Sequence, residues 1–133
     1  MLPVLPFVSP SFPPGMKNYP NILAHELVEK ELKELIDENP EALAQLESNY
    51  EKRLDFLSRN LGRETAHTWF EFLEGSSYKS MRFVKVKLLK NLRILYGIAD
   101  NKAYLLVAFT EKRRKSDYAH ALKIAENRAK GIL

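Results

Sequence analysis

The side chains best equipped for chemistry in this chain are cations, and they gather towards its end. Across Met81–Leu88 apolar and cationic residues alternate. A strand there would turn Lys85, Lys87 and Phe83 to one face and Val84, Val86 and Leu88 to the other. Lys90 follows, and Arg93 joins the same cluster if its side chain takes the same face of the next strand. Glu111–Lys115 then sets Lys112, Arg113, Arg114 and Lys115 in a single run. Tyr96, Tyr118 and His120 are interleaved with these cations. Positive groups hold phosphates and flat rings stack on bases, so the set suits a flexible nucleic-acid strand. The plainer reading is a solvated sheet face, where lysine also discourages edge pairing, followed by an exposed basic loop.

Other chemistries are poorly provided for. The chain has no cysteine, which removes a thiol nucleophile, a disulfide framework and a thiolate zinc site. His25, His67 and His120 are too widely spread to read as a metal set. There is no glycine-rich phosphate loop, no Gly-x-Ser-x-Gly turn and no pair of carboxylates in the basic half. Neither a metal nor a cofactor is expected. Trp69, Phe70 and Phe72 read as core rather than as a binding platform.

The 133 residues allow one ordinary domain, and 45% hydrophobic with 29% charged residues is a globular composition. The net charge of +4 conceals an uneven distribution. Residues 1–78 carry seven Lys/Arg against thirteen Asp/Glu, a net of −6, whereas residues 79–133 carry fourteen against four, a net of +10. A basic half of this kind favours a polyanionic partner. No apolar run approaches the roughly 20 residues of a membrane span.

Elements must position these groups. Residues 1–20 hold six of the seven prolines and form an extended, proline-rich N-terminal arm. It lacks the basic start and unbroken apolar run of a secretory signal, so a cytoplasmic location is expected. From Asn21, Ile22, Leu23, Leu27, Leu32, Leu35 and Ile36 mark one face of a helix that Asn39-Pro40 ends. Leu43, Leu46, Tyr50, Leu54, Leu57 and Leu61 mark a second helix, stopped by Gly62. Residues 64–74 are ambiguous in pattern and could form a short helix. Three strands follow, over 81–88, 92–99 and 103–109, with Asp100-Asn101 as the turn between the last two. A final helix spans Ser116–Lys130, capped by Ser116 and stopped by Gly131. The expectation is an α+β fold over residues 21–133: a helical hairpin packed on a small antiparallel sheet, with a C-terminal helix.

The run from Lys85 to Arg128 resembles the RelE/ParE superfamily of toxin–antitoxin toxins, especially its HigB-like, phage-derived branch. The Lys-x-Lys at Lys85 and Lys87 carries the resemblance, with Arg-Ile-Leu-Tyr at Arg93–Tyr96 and the Asp-Asn-Lys turn. Ala108-Phe109, the basic run and the last helix continue it. It covers about residues 79–130, and the two upstream helices match the superfamily's hairpin in order and length. The resemblance implies a RelE-like fold and a ribosome-dependent mRNA endoribonuclease, or interferase, neutralised by a cognate antitoxin. Such an enzyme needs no metal, because the RNA's own 2′-hydroxyl attacks the adjacent phosphorus.

Carried onto this chain, Lys85 and Lys87 match the strand lysines, one of which would serve as base. Arg93 would hold the scissile phosphate. Arg113 would stabilise the transition state or donate a proton, and Tyr118 would stack on a base or act as acid. Lys90, Lys112, Arg114, Lys115, Tyr96 and His120 would line the RNA path. His120 or His67 could share the acid–base work, as in HigB-like members. Two other readings stand beside this one: a ParE-like gyrase-inhibiting toxin, and a non-enzymatic nucleic-acid-binding or phage accessory protein. Independently of the resemblance, a compact basic face suits an acidic, partly disordered partner segment that folds upon it.

Overall fold

The computed structural model describes residues 6–84, 86–111 and 115–132. Its frame is a six-stranded sheet of β1 (Phe7–Val8), β2 (Ile22–His25), β3 (Phe70–Phe72), β4 (Lys79–Arg82), β5 (Leu92–Ala99) and β6 (Lys102–Thr110). The strands lie in the order β1-β2-β6-β5-β4-β3. Every neighbouring pair is antiparallel except β2 and β6, which run parallel. The protein is therefore α+β, with a mixed sheet in place of the expected antiparallel one.

Three helices, α1 (Val28–Glu38), α2 (Leu43–Arg59) and α3 (Lys115–Arg128), cover the sheet. Val28 and Leu32 of α1, with Leu46, Tyr50, Leu54 and Leu57 of α2, pack on Ile22, Ile94, Tyr96 and Leu105. The opposite face belongs to α3, whose Ala121 and Ala125, with Ala129 just past its end, rest on Leu95, Leu106 and Val107. Alanines at this spacing let the helix lie close to the strands. A bulge supplies part of that floor. Leu95 pairs with Val107 and Tyr96 with Leu105, so Leu106 has no opposite number, and it and Val107 both turn to α3.

Strands β5 and β6 lie where the apolar pattern sets them. Asp100 and Asn101 both take positive φ, 52° and 61°, which gives the turn the twist a two-residue hairpin needs. Pro40 opens a single 3-10 turn that leads into α2, and Gly62 follows that helix with φ of 87°.

Elsewhere the chain departs from the pattern. Ile22–His25 is a strand, so the first helix starts six residues later than its apolar spacing suggests, at Val28. Asn21 caps no helix; its side chain exchanges hydrogen bonds with Ser58. Residues 64–74 form one 3-10 turn followed by β3, not a helix. Ser116 lies within α3, which starts at Lys115. The proline-rich arm is built into the domain. β1 pairs with β2, Phe12 and Tyr19 are buried, and the Glu29 carboxylate accepts from the backbone N–H groups of Ser11 and Phe12 and from the Tyr50 hydroxyl. No helix among the described residues is long and apolar enough to cross a membrane.

Candidate functional site

Cross-strand register collects the candidate groups. Glu71 pairs with Ser80, Ser80 with Leu95, Arg82 with Arg93, and Arg93 with Phe109. Directly paired residues point the same way, so Glu71, Ser80, Arg82, Arg93 and Phe109 share the sheet face that α3 covers. There Tyr118, in the first turns of α3, closes over them. Its ring meets Phe109 edge-on at 5.5 Å, and the Arg93 guanidinium lies 5.4 Å from its centroid. The Tyr118 hydroxyl stands 3.5 Å from Ser80 Oγ.

Arg93 is the centre of this cluster. Its Nη1 donates to Glu71 Oε1 at 2.6 Å, and its Nε lies 3.3 Å from Glu111 Oε2, close enough for charge attraction although not aligned as a hydrogen bond. Arg82 Nη1 approaches the other Glu71 oxygen at 4.0 Å. Two guanidinium groups thus flank one carboxylate, with Tyr118 beside them.

The lysines come from a different backbone than expected. β4 ends at Arg82, and the alternation beyond it gives way to a period of three. Phe83, Val86, Leu89 and Leu92 are all buried, and each of the last three donates its N–H to the carbonyl three residues before. Val84 and Leu88 are exposed instead of facing inward with Val86, and Phe83 is core rather than a neighbour of the lysines. Lys87 and Lys90 stand exposed on these turns. With Arg82 and Arg93 they line one cavity of about 470 Å³. Sequence-nominated Lys87, Lys90, Arg93 and Tyr118 are therefore brought together.

Arg53 anchors this corner from the opposite face. It is fully buried on α2, between Trp69 at 4.5 Å and Phe83 at 4.8 Å. Its Nε donates to the Arg82 carbonyl at 2.6 Å and its Nη1 to Asn49. Burial lowers its pKa to about 10.

Other nominated residues lie apart. Tyr96 is wholly buried on the α1–α2 face, where its hydroxyl donates to Glu64 at 2.7 Å. Burial, reinforced by Glu64, pushes its pKa far above the usual phenol range. His120 is exposed on α3, while the His67 ring meets Phe56 edge-on and lies tilted against Trp69. Lys85, Lys112, Arg113 and Arg114 lie outside the described residues, as does the Lys115 side chain.

Sequence reasoning missed Glu71 and Arg82. The alternation of Phe70-Glu71-Phe72 was the available signal, and it turns Glu71 away from two aromatics. Among the described residues no three His, Asp or Glu side chains converge as metal ligands. Comparison with family models, with curated proteins and with solved structures returns no match.

Proposed function

We propose that this chain is an mRNA endoribonuclease of the RelE kind, acting on the ribosome and neutralised by a cognate antitoxin. The observation that carries the reading is Glu71 held between Arg82 and Arg93, with Tyr118 against Arg93, where the same two arginines line a cavity together with Lys87 and Lys90. A phosphate entering this cavity finds two guanidinium groups for its non-bridging oxygens and two lysines for its neighbours. As Arg93 turns to the phosphate, Glu71 is released to accept the proton of the 2′-hydroxyl. The 2′-oxygen bonds to phosphorus and the bond to the 5′-oxygen breaks. That oxygen takes a proton from Tyr118, leaving a 2′,3′-cyclic phosphate and a 5′-hydroxyl.

In this reading the base is Glu71 rather than Lys85 or Lys87, and Arg113 keeps the transition-state role that the resemblance gives it. The test is inducible expression in a bacterial host with primer extension on translated messages. The same mapping is run on the Arg93→Ala, Arg113→Ala and Glu71→Gln variants. Discrete cuts within reading frames, lost in the variants, are expected. Intact messages with growth and translation unaffected would overturn the reading and leave a binding surface. A DNA-damage response with translation still running would give the ParE-like alternative.

A further inference from the structure

A second basic feature lies on the other flank of α3, outside the cluster around Arg93. Here α3 faces Pro6, His25 and Leu27 across a groove of about 880 Å³. His120, Lys123, Asn127 and Lys130 line it from the helix side and just past its end. Their spacing of three and four forms one exposed stripe, about 15 Å long at the helical rise. The opposite side of the helix, through Ala121, Ala125 and Ala129, is buried against the sheet.

The floor of the groove includes the imidazole of His25. His25 is 7% exposed. Its Nδ1 accepts the Leu27 N–H at 3.1 Å, which fixes the neutral ring with its proton on Nε2. The ring lines the groove beside Pro6 and Leu27. Arg128 also lines the groove, with its guanidinium held by Glu31. Burial, and next the charge of Arg128, lower the His25 pKa, against opposing effects of Glu26 and Glu31. Glu126 is the one carboxylate lining the groove.

We propose that this groove is a second phosphate-binding site, which holds RNA backbone on Lys123, Lys130 and the Nε2–H of His25. It deepens the reading above by giving the RNA a contact away from the bond that is cut. Nucleic acid is favoured as the occupant because the stripe offers several donors in line, matching a chain of phosphates rather than a single anion.

The test uses the full chain and a short single-stranded 2′-O-methyl RNA, which binds but cannot be cleaved. Affinity is measured against salt concentration for the wild type and for Lys123→Ala/Lys130→Ala. About a tenfold weakening at low salt is expected, with the salt slope falling by about one unit for each lysine removed. In NMR titrations, bound RNA should raise the pKa of His25.

Unchanged affinity and slope in the double variant, or an unmoved His25, would overturn the proposal. So would a loss of binding to anionic vesicles in that variant with RNA binding intact. Failure of the nuclease reading looks different. A wild type that cuts no message, with the slope still reduced in the double variant, keeps the groove, whereas one that cuts messages with the slope unchanged in that variant keeps only the nuclease.

Discussion

Arg128 and Glu31 meet in a two-pronged ion pair, Nη1 to Oε1 and Nη2 to Oε2 at 3.0 Å each, although α3 and α1 cover opposite faces of the sheet. They meet at the edge of β6. Strand β2 pairs with β6 only as far as Leu105, so among the described residues the next stretch of β6 has no strand on that side. Glu31 Oε1 accepts the Ala108 N–H at 3.1 Å, and Arg128 donates to the Leu106 carbonyl at 2.9 Å. Two side chains thus do for this edge what another strand would do, and they join both helical layers around it.

Arg128→Ala should therefore cost about 2 kcal/mol, since it takes the opposite charge from the Glu31 carboxylate and the side-chain donor from the Leu106 carbonyl. Urea denaturation measures the loss. Hydrogen exchange locates it, with the Ala108 amide exchanging faster. An unchanged midpoint would mean that the pair only decorates the edge.

The chemistry assigned to Glu71 separates from charge alone in its conservative variants. Glu71→Gln should lower the single-turnover cleavage rate about 100-fold or more and leave RNA binding equal or tighter. Arg93→Lys keeps the charge and loses the planar fork that would hold the phosphate once Glu71 is released, so it should also fail to cleave. Cleavage by Glu71→Gln at the wild-type rate would move the base elsewhere.

Arg53 has a different kind of consequence, because its charge is buried without a carboxylate partner among the described residues. Arg53→Met keeps most of the bulk between Trp69 and Phe83 but strands the Arg82 carbonyl and the Asn49 side chain. A loss of about 1–3 kcal/mol is expected. Trp69 is the only tryptophan, so its fluorescence reports both the unfolding and any disturbance of this corner. A variant as stable as wild type would show that these bonds are replaceable.

The pH dependence of stability should centre on Glu64. Burial alone would raise its pKa, but hydrogen bonds from Lys79 at 2.8 Å and Tyr96 at 2.7 Å hold it below the ordinary value. A carboxylate so shifted stabilises the fold fully above its unfolded pKa of about 4.3, and the contribution disappears as pH falls through the lower folded value. The stability gap between wild type and Glu64→Gln should therefore be widest near neutrality and shrink in acid. Tyr50 and Tyr96 act in the opposite range. Their raised pKa values stabilise the fold below about pH 10, and that support is lost as the pH climbs higher.

Legibility in the sequence followed locality. The β5–β6 hairpin and α3 were readable because their patterns, turn residues and stops lie within short windows. β2 was hidden because its four residues make sense only against β6, and Ile22 and Leu23 also fit the helical spacing that follows. The stretch after Arg82 misled for a subtler reason. Phe83, Val86 and Leu89 carry a period of three, but the lysines between them impose a competing period of two. The site was half visible: Lys87, Lys90, Arg93 and Tyr118 declare themselves by charge and ring. Glu71 and Arg82 become significant only once the strands are in register. Tyr96 was drawn to the wrong face by the same limitation, since its strand was legible and its orientation was not.

The parallel pairing of β2 with β6 also sets an order of assembly. Ile22 must wait for Ala103, and Glu31 for a partner 97 residues further along. During synthesis the arm, β2 and the helical hairpin emerge before the strand that β2 pairs with on its other side. The β3–β6 meander can form from near neighbours, whereas the parallel seam closes only after a long loop has been drawn in. Folding should then be slow for a chain of this size and finish as one late event. Until β6 arrives, the first half of the protein is a ligand without its receptor.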